Sequence, residues 1–329
     1  MKSPLLSAVV IGLCAASIAG WAVKPALALA AETVKVNVFP GTANLPLLVA
    51  GEKGFFEKHN IKMELVYARS SKEQMTGVRD GKSDLGSTAI DNVIAYNVSE
   101  KTDFFMFMGV GGTTLHFFVN PGIKSFRDLK GKPLAVDAPT TGFAFVLQKI
   151  LYENGIKPGE YKLVSVGGTG ERFQSMKKKA ALGSLLTPPF IVKAQQAGFK
   201  DMGEVTRYIP DYASTAGFTT RRWAGTHGDI LVRYIKGNIE GVDWVSDPNN
   251  RNEAASILAK DLKISIEVAG KSIVEDLFHP AMGLNKKAAF PVAGTKIVIA
   301  LRAEMGYLKP PLPDPTQFYD LSYYEKAIQ

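Results

Sequence analysis

Short strand-like runs alternate with amphipathic helical stretches through the part of the chain that follows residue 30. Residues 34–39 alternate apolar and polar side chains and end at Pro40-Gly41, which predicts a strand. Residues 45–56 repeat apolar side chains at helical spacing, which predicts a helix. Further strands are predicted at residues 63–67, 84–86 and 104–108, and further helices at residues 71–81 and 90–98. Strands that alternate with helices indicate βαβ units and a largely parallel sheet.

The same alternation repeats after residue 130. Residues 133–137 predict a strand, and residues 143–151 carry apolar side chains at helical spacing before a helix end at Gly155. Strands are also predicted at residues 161–166 and 182–186, and helices at residues 170–179 and 190–197. Beyond about Arg222 the chain is mostly helical, with helices around residues 231–235, 255–262 and 296–305. The pattern therefore predicts two α/β halves, each with its own core, and a helical tail.

Two extended stretches, residues 115–120 and 214–220, lie where the first half gives way to the second and where the second ends. We interpret them as paired crossover strands that form a hinge between two lobes, which suits closure around a ligand. The predicted fold class is α/β with two lobes, each a mainly parallel sheet flanked by helices. The predicted organisation is a signal peptide at 1–30, a first lobe at 31–118 and 219–329, and a second lobe at 119–218.

The signal peptide is predicted from three features of the first 30 residues. Lys2 gives a basic start, an apolar stretch follows from Leu5, and Ala28-Leu29-Ala30 has the small-x-small pattern of a cleavage site. The alternative is an uncleaved N-terminal anchor, but glycines, Lys24 and a proline interrupt the apolar stretch. The mature protein is therefore expected to begin near Ala31 and to work outside the cytoplasm, in the periplasm.

Composition and charge narrow the function further. The one cysteine, Cys14, lies in the predicted signal peptide, so a mature chain has no disulfide, thiolate metal site or cysteine nucleophile. The formal net charge is +8, which weakly favours an anionic small ligand. The sequence contains no basic stripe interleaved with aromatic residues, which is the pattern typical of nucleic-acid binding, so no nucleic-acid partner is expected.

Catalytic and cofactor-binding motifs are missing from the sequence. None of the four histidines forms the His-Glu-x-x-His pair of a zinc protease, and no G-x-S-x-G elbow is present. The glycine-containing stretch 77–83 is one residue short of a phosphate-binding loop and follows a predicted helix instead of a strand. We therefore predict a protein that is not an enzyme and needs no cofactor or metal.

A polar turn follows most of the predicted strands. In open α/β sheets ligands bind beyond the carboxyl ends of the strands, where helix N-termini offer unpaired N–H groups and hydroxyls add donors. Any single turn of this kind is also typical of an ordinary helix cap. The turns are Gly41-Thr42-Ala43-Asn44, residues 87–92, Pro139-Thr140-Thr141-Gly142, Gly168-Thr169-Gly170 and Thr187-Pro188-Pro189. Together they predict one ligand site at the strand ends.

One known family opens with a signature that residues 45–56, LPLLVAGEKGFF, resemble. It comprises the solute-binding proteins of ABC importers for nitrate, sulfonates, taurine and thiamine precursors (THI5-like). The further matches are Gly81 with Asp84, Thr141-Gly142, Leu186-Thr187-Pro188-Pro189-Phe190 with Ala197-Gly198-Phe199, and Tyr319-Asp320-Leu321-Ser322-Tyr323-Tyr324. The resemblance implies the two-lobed type II periplasmic binding fold, with the ligand held between lobes that two strands join.

The resemblance also implies which residues contact the ligand. They are Thr42, Asn44, Ser87, Thr88 and Asp91 from the first lobe, and Thr140, Thr141, Gly142, Gly168, Thr169, Arg172 and Thr187 from the second. Arg172 could pair with a carboxylate or sulfonate, or it could form a surface ion pair with Glu171 or another acid. Asp91 could cap its helix, or it could accept a hydrogen bond from a ligand amine or hydroxyl. Phe143, Phe173 and Phe190 could add an aromatic wall.

The resulting expectation is a monomeric periplasmic protein that captures a small organic ligand by hinge closure and hands it to an ABC permease in the membrane. The expected ligand is an anion such as a sulfonate or an aromatic carboxylate. Two alternatives share the fold: a protein that binds a thiamine-precursor pyrimidine, and an enzyme of pyrimidine synthesis. A third is a sensory module that reports ligand to a kinase, which would need a partner because the chain has no signalling segment.

Overall fold

The structure, a computed structural model, describes residues 1, 31–111, 114–210, 212 and 215–329. The predicted signal peptide lies, apart from Met1, outside the described residues. Among the helices of this described part, none is both long enough and apolar enough to cross a membrane. Residues 31–329 form one compact unit, which is described below.

The strands in chain order are β1 (Glu32–Val38), β2 (Ile61–Tyr67), β3 (Leu85–Ala89), β4 (Phe104–Gly111), β5 (His116–Val119), β6 (Pro133–Val136), β7 (Lys162–Ser165), β8 (Gly183–Leu186), β9 (Lys200–Glu204) and β10 (Thr215–Thr220). The helices are α1 (Leu45–Glu52), α2 (Phe55–Lys58), α3 (Ser71–Arg79), α4 (Ile90–Ser99), α5 (Gly142–Glu153), α6 (Thr169–Lys177), α7 (Phe190–Gln196), α8 (Arg221–Ser246), α9 (Arg251–Leu262), α10 (Ile266–Asp276), α11 (Val292–Glu304) and α12 (Ser322–Ile328).

The first sheet has the strand order β2-β1-β3-β10-β4. β1 pairs in parallel with β2 and β3, with Val36 opposite Leu65 on one side and Leu85 on the other. β10 runs antiparallel to both β3 and β4. The alternation predicted for β1 is visible in its burial, because Val34, Val36 and Val38 point into the core.

The second sheet has the order β7-β6-β8-β5-β9. β6 pairs in parallel with β7 and β8, and β5 runs antiparallel to β8 and β9. Both predicted crossover stretches are therefore strands, and each is an interior strand of its sheet. β10 lies between β3 and β4, and β5 lies between β8 and β9.

The helical tail packs mainly on the first sheet and its helices. α8 lies against α1 and α2, where the ring of Tyr234 stacks on that of Phe56 at 5.4 Å. α9 and α10 pack on each other, and α12 packs on α8. α11 contacts both α4 and α5, so it touches a helix beside each sheet.

The elements predicted from the hydrophobic pattern are present with shifted ends, except that the helix predicted at residues 45–56 is two helices, α1 and α2, separated at Gly54, whose φ is 73°. Three elements were not predicted: β9, α10 and α12. The expectation of largely parallel sheets holds for β1, β2 and β3 and for β6, β7 and β8. β4 and β9 run in the same direction as these strands, and only the crossover strands, β10 and β5, run antiparallel to their neighbours among the described strands. Both sheets are therefore mixed.

Candidate functional site

A cavity of about 110 Å³ lies between the strand ends of the two sheets. Its walls come from all five of the polar turns singled out in the sequence, from the start of α3 and from the end of α10. The predicted ligand-contacting residues that line it are Thr42, Asn44, Ser87, Thr88, Thr141, Gly142, Gly168, Thr169, Arg172 and Thr187. Asp91 and Thr140 do not line it.

The loop after β1 forms one wall. The Asn44 side chain holds this loop in place, because its Nδ2 donates to the Phe39 carbonyl at 2.7 Å. Thr42 is completely buried, and its Oγ1 has no hydrogen-bond partner among the described residues. A buried hydroxyl without a partner costs free energy, so this oxygen is a candidate ligand contact.

A buried polar network supports the wall that follows β3. The Asn92 Nδ2 donates to the Thr88 Oγ1 at 2.9 Å and to the Ser71 Oγ at 3.0 Å. The Gln74 Nε2 donates to the Ser87 carbonyl at 2.9 Å and so fixes the strand end. These bonds fix the orientation of the Ser71 and Thr88 hydroxyls at the edge of the cavity.

Arg172 provides the positive charge of the opposite wall. It lies in the first turn of α6, is 3% exposed, and its Nη2 donates to the Thr169 Oγ1 at 2.6 Å. The Thr187 hydroxyl in turn lies 3.3 Å from the Thr169 Oγ1. Burial lowers the pKa of Arg172 to about 10, so its guanidinium is charged at neutral pH.

The Arg172 Nε has no hydrogen-bond partner among the described residues, although it is buried. The surface ion pair considered for Arg172 is not formed, because Glu171 lies 3.4 Å from the Arg69 Nε instead. A buried guanidinium with an unused donor, set beside hydroxyl groups, is suited to an acidic ligand group.

Asp91 corrects one prediction. Its carboxylate accepts from the Arg302 Nη1 at 2.8 and 2.9 Å, and the Gly142 N–H also bonds to it. Asp91 therefore occupies the N-terminus of α5, where a ligand anion was expected, and neither caps its own helix nor faces the cavity. Gly142 is required at this contact, because a Cβ there would lie 2.5 Å from the Asp91 Cβ.

Three other predicted residues have roles that the sequence did not indicate. The exposed Thr140 contributes its carbonyl, which accepts from the Arg302 Nη1 at 3.4 Å. The Gly168 N–H, expected to face the ligand, donates to the Arg69 carbonyl at 2.7 Å. The Thr141 hydroxyl donates to the Ala138 carbonyl at 2.8 Å while still lining the cavity.

The predicted aromatic wall is reduced to one of its three members. Phe143 lines the cavity, and its ring centroid lies 5.9 Å from the Arg172 guanidinium carbon. Phe173 and Phe190 instead pack against each other at 5.7 Å in a separate apolar cluster with Phe199. Phe39, which the sequence did not single out, also lines the cavity.

Hydrogen bonds join the cleft rims across the cavity, and one of them runs from the Arg69 Nε to the Glu171 Oε1 at 3.4 Å. The Ser71 N–H donates to the Asp137 Oδ2 at 3.0 Å, and the Gly168 N–H donates to the Arg69 carbonyl. The Thr42 N–H lies 3.4 Å from the Pro188 carbonyl. These bonds hold the two rims of the cleft against each other.

Two carboxyl groups in the wall were missed from the sequence. Asp137 directly follows β6, so its place at a strand end could have indicated it. Asp276 ends α10 and is 2% exposed, and no local pattern marks it. Burial raises the pKa of Asp276 to about 7, against the opposing effect of the Thr114 N–H that bonds to it.

No cluster of histidine, cysteine and acidic side chains suited to a metal occurs within residues 31–111, 114–210 and 215–329.

Comparison with known proteins places the chain among related folds. A family model described as NMT1/THI5-like matches residues 42–250, whereas no curated protein matches the sequence. The nitrate-binding protein NrtA from Synechocystis PCC 6803 superposes with a TM-score of 0.78 at 14% identity, over 90% of this chain and 88% of that one. The ligand-binding component of an ABC-type import system from Staphylococcus aureus gives 0.76 at 16% identity, over 90% and 99%.

The aliphatic sulphonate-binding protein SsuA from Escherichia coli superposes with a TM-score of 0.65 at 16% identity, over 88% of this chain and 92% of that one. The desulfurization enzyme DSZB gives 0.60 at 11% identity, over 90% and 99%. The fold is therefore that of periplasmic binding proteins. At these identities the likeness concerns the fold alone.

Proposed function

The chain belongs to the NMT1/THI5-like family, and from that membership we propose that it is the periplasmic substrate-binding component of an ABC importer. It captures a small organic ligand with an acidic group, such as a sulfonate or carboxylate, and delivers it to a membrane permease. Residues 1–30 serve as its export signal, and the mature protein acts as a monomer. Two lobes close on the ligand. The first comprises residues 31–118 and 219–329, and the second comprises residues 119–218.

The observation that carries this proposal is the state of Arg172. A charged guanidinium that is 3% exposed, with an unpartnered Nε and no ion pair among the described residues, lines the cavity. Burial of such a group is costly, and the charges of Asp137 and Glu171 offset only part of that cost, since the pKa of Arg172 is still lowered. A ligand acid supplies a further counter-charge and can bond to the guanidinium while Thr169 and Thr187 bond to its remaining oxygens.

The composition of the walls favours binding over catalysis. In the described part of the chain no histidine lines the cavity, and its polar groups are hydroxyls, amides, one guanidinium and two carboxyls. Neither a nucleophile activated by a base nor an acid–base pair at hydrogen-bond distance is formed by them. Phe39, Phe143 and Pro188 add apolar surface for the organic part of a ligand.

The test replaces Arg172 and measures binding of acids. Ethanesulfonate, benzoate and nitrate are screened by thermal shift, and the best binder is titrated by calorimetry. We expect Arg172→Met to weaken its affinity about 10- to 100-fold, since a charge-assisted hydrogen bond is worth ~1.5–3 kcal/mol. Arg172→Lys should retain part of the affinity, and the exposed Arg127→Met is the matched control.

Two outcomes would contradict the proposal. One is unchanged affinity in Arg172→Met for an acid that the wild-type protein binds. The other is stabilisation of the wild-type protein by a neutral 4-amino-2-methylpyrimidine and by none of the acids. That second result would instead favour a pyrimidine ligand.

A further inference from the structure

The positive charge of the chain is distributed unevenly between the two proposed lobes. Residues 119–218 contain 14 lysines and arginines against 8 acidic residues, so this segment has a net charge of +6. The remainder of residues 31–329 contains 23 of each and has no net charge. A net charge confined to one part of a molecule creates a potential there that attracts partners of opposite sign.

Lysines from separate segments meet at the edge of the second sheet where its parallel strands begin. Lys132 and Lys162 lie at the starts of β6 and β7, and the Lys162 N–H donates to the Lys132 carbonyl at 3.0 Å. The exposed run of residues 177–179 ends α6 and precedes β8. The Leu182 N–H donates to the Pro133 carbonyl at 2.8 Å, which places the start of β8 beside that of β6.

The antiparallel strand β5 brings two further lysines to this edge. β5 ends next to Asn120, whose N–H donates to the Leu182 carbonyl at 2.9 Å. Lys200 begins β9 opposite Val119, and its ammonium group donates to the Lys124 carbonyl. We call the surface formed by these segments the basic edge. It comprises Lys124, Lys132, Lys162, residues 177–179 and Lys200.

The acidic side chains beside the basic edge have other partners. Asp128 accepts two backbone N–H groups of its own loop, and Glu160 pairs with Lys130 at 2.7 Å. Asp201 bonds to the ring of His116 at 2.7 Å. In the part of the chain that the structure describes, none of the seven exposed lysines of the basic edge forms an ion pair. Their charges are therefore available to an external partner.

The basic edge is separate from the ligand cavity. The cavity is lined by residues just beyond the carboxyl ends of the strands, such as Asp137 after β6 and Thr187 after β8. The basic edge lies at the opposite ends of the same strands. Its charge is therefore not explained by the ligand that the cavity binds.

The composition of the basic edge favours a lipid surface over a protein partner. Its seven cations are all lysines, a residue that is depleted in protein–protein interfaces, whereas aromatic residues are enriched there. Within residues 121–200, all of which the structure describes, Tyr152 is the one large apolar side chain that is exposed. Ammonium groups on flexible stems need no fixed partner geometry, so they suit the many mobile phosphates of a bilayer.

We propose that the basic edge docks the protein reversibly on an anionic phospholipid bilayer. Each lysine that comes near such a surface strengthens the attraction, and several together suffice for peripheral binding. Docking through this edge turns the cavity, at the other ends of the strands, away from the lipid. The proposal does not depend on which ligand the cavity binds.

Vesicle binding tests the proposal. Residues 31–329 form one compact unit and are used without the apolar predicted signal peptide, which could itself bind lipid. They are co-sedimented with vesicles of phosphatidylcholine alone or with about 40% phosphatidylglycerol. We expect the anionic vesicles to bind at least tenfold more tightly in about 50 mM NaCl, and this affinity to fall at least tenfold in about 300 mM NaCl, because salt screens exposed charges.

A triple variant assigns the binding to the basic edge. Lys132→Gln with Lys162→Gln and Lys178→Gln removes one cation from each of three segments that meet there. Because each lysine contributes separately to the attraction, the affinity for the anionic vesicles should fall at least tenfold.

The matched control removes the same charge from another part of the chain. Lys62→Gln with Lys260→Gln and Lys271→Gln replaces three exposed lysines outside residues 119–218. Its affinity for the anionic vesicles should stay within threefold of the wild-type value.

Three results would overturn the proposal. Equal binding to both kinds of vesicle, or to neither, would show that lipid charge is not recognised. Equal losses in the two triple variants would show that net charge alone matters. Tighter binding to soluble polyglutamate than to vesicles of the same charge concentration would favour an acidic protein partner. None of these results bears on the binding of acids at Arg172, so the two proposals fail separately.

Discussion

A buried hydroxyl without a hydrogen-bond partner lowers stability until a ligand bonds to it. Thr42 is in that state at the cavity, whereas the equally buried Thr219 donates to the Asp84 carbonyl at 2.7 Å. The two threonines thus form a matched pair, one facing a cavity and one satisfied within the fold.

Replacement of each threonine by valine should change stability in opposite directions. Thr42→Val removes an unsatisfied hydroxyl, so its free energy of unfolding should stay the same or rise by up to about 1 kcal/mol. Thr219→Val breaks a bond and should lose about 1 kcal/mol. Urea unfolding measures both values. A loss of 1 kcal/mol or more in Thr42→Val would show that its hydroxyl is already bonded within the protein.

Residue roles were predictable where they depend on local sequence. Hydroxyl groups near strand ends reach the cavity because parallel strands end at one edge of a sheet: Thr42 follows β1, whereas Thr88, predicted in a turn, is in the last residues of β3. Asp91 was ambiguous because its partner, Arg302, lies far along the chain. The place of Asp276 in the cavity wall could not be predicted from the local sequence either, since only the packing of α10 brings it to the cavity.

Helix α11 is anchored by an ion pair at its C-terminal half. Arg302 bonds to Asp91 on α4 and to the Thr140 carbonyl before α5, so one side chain joins three segments. Both charged side chains are buried, Asp91 at 1% exposure and Arg302 at 5%. Removing one partner of such a pair leaves the other charge buried without compensation.

Arg302→Met should therefore lower the free energy of unfolding by about 3–5 kcal/mol. The double variant Asp91→Asn with Arg302→Met should recover part of that loss, because no uncompensated charge remains. Thermal and urea unfolding of the single and double variants form the test. Equal losses in both variants would mean that the buried charge of Asp91 is not the source of the effect.

Elements were predictable where apolar residues recur with a clear period. α5 shows this, with buried side chains at helical spacing from Ala144 to Leu151. β9 was missed because residues 200–204 are mostly polar and the strand is held at one edge by backbone bonds to β5. α12 was missed because it follows a proline-rich stretch and has only Ala327 buried.

The two sides of the cleft are held together by bonds that need no ligand. Two side-chain carboxylates accept hydrogen bonds at the rim: Asp137 from the Ser71 N–H at 3.0 Å and Glu171 from the Arg69 Nε at 3.4 Å. In the hinge closure proposed above, such contacts should shift the balance between open and closed forms, as ligand binding does. We therefore expect Asp137 to influence that balance.

Asp137→Ala should favour the open form of the ligand-free protein. Its radius of gyration in small-angle X-ray scattering should exceed that of the wild type, since one contact of about 1–2 kcal/mol is lost. Asp128→Ala is the matched control, because that carboxylate also accepts backbone N–H groups but within its own loop. An unchanged radius in Asp137→Ala would show that the rim bond does not influence closure.

The two-lobed α/β arrangement followed from the repeat of strands and helices, but the bonds across the cleft did not. The rim bonds involve Arg69 with Gly168 and Thr42 with Pro188, pairs that only the tertiary fold brings together. Distances between such pairs leave no trace in the local pattern of apolar and polar residues.

Two of these rim bonds join main-chain N–H and carbonyl groups, so ordinary amino-acid replacements leave both atoms in place. A mutational scan would consequently overlook them. Exchange of an amide for an ester at Thr42 or Gly168, or introduction of proline there, is the chemistry that reaches them. We expect relatives that bind other ligands to form the same two bonds, since the path of the backbone alone determines where these main-chain groups lie.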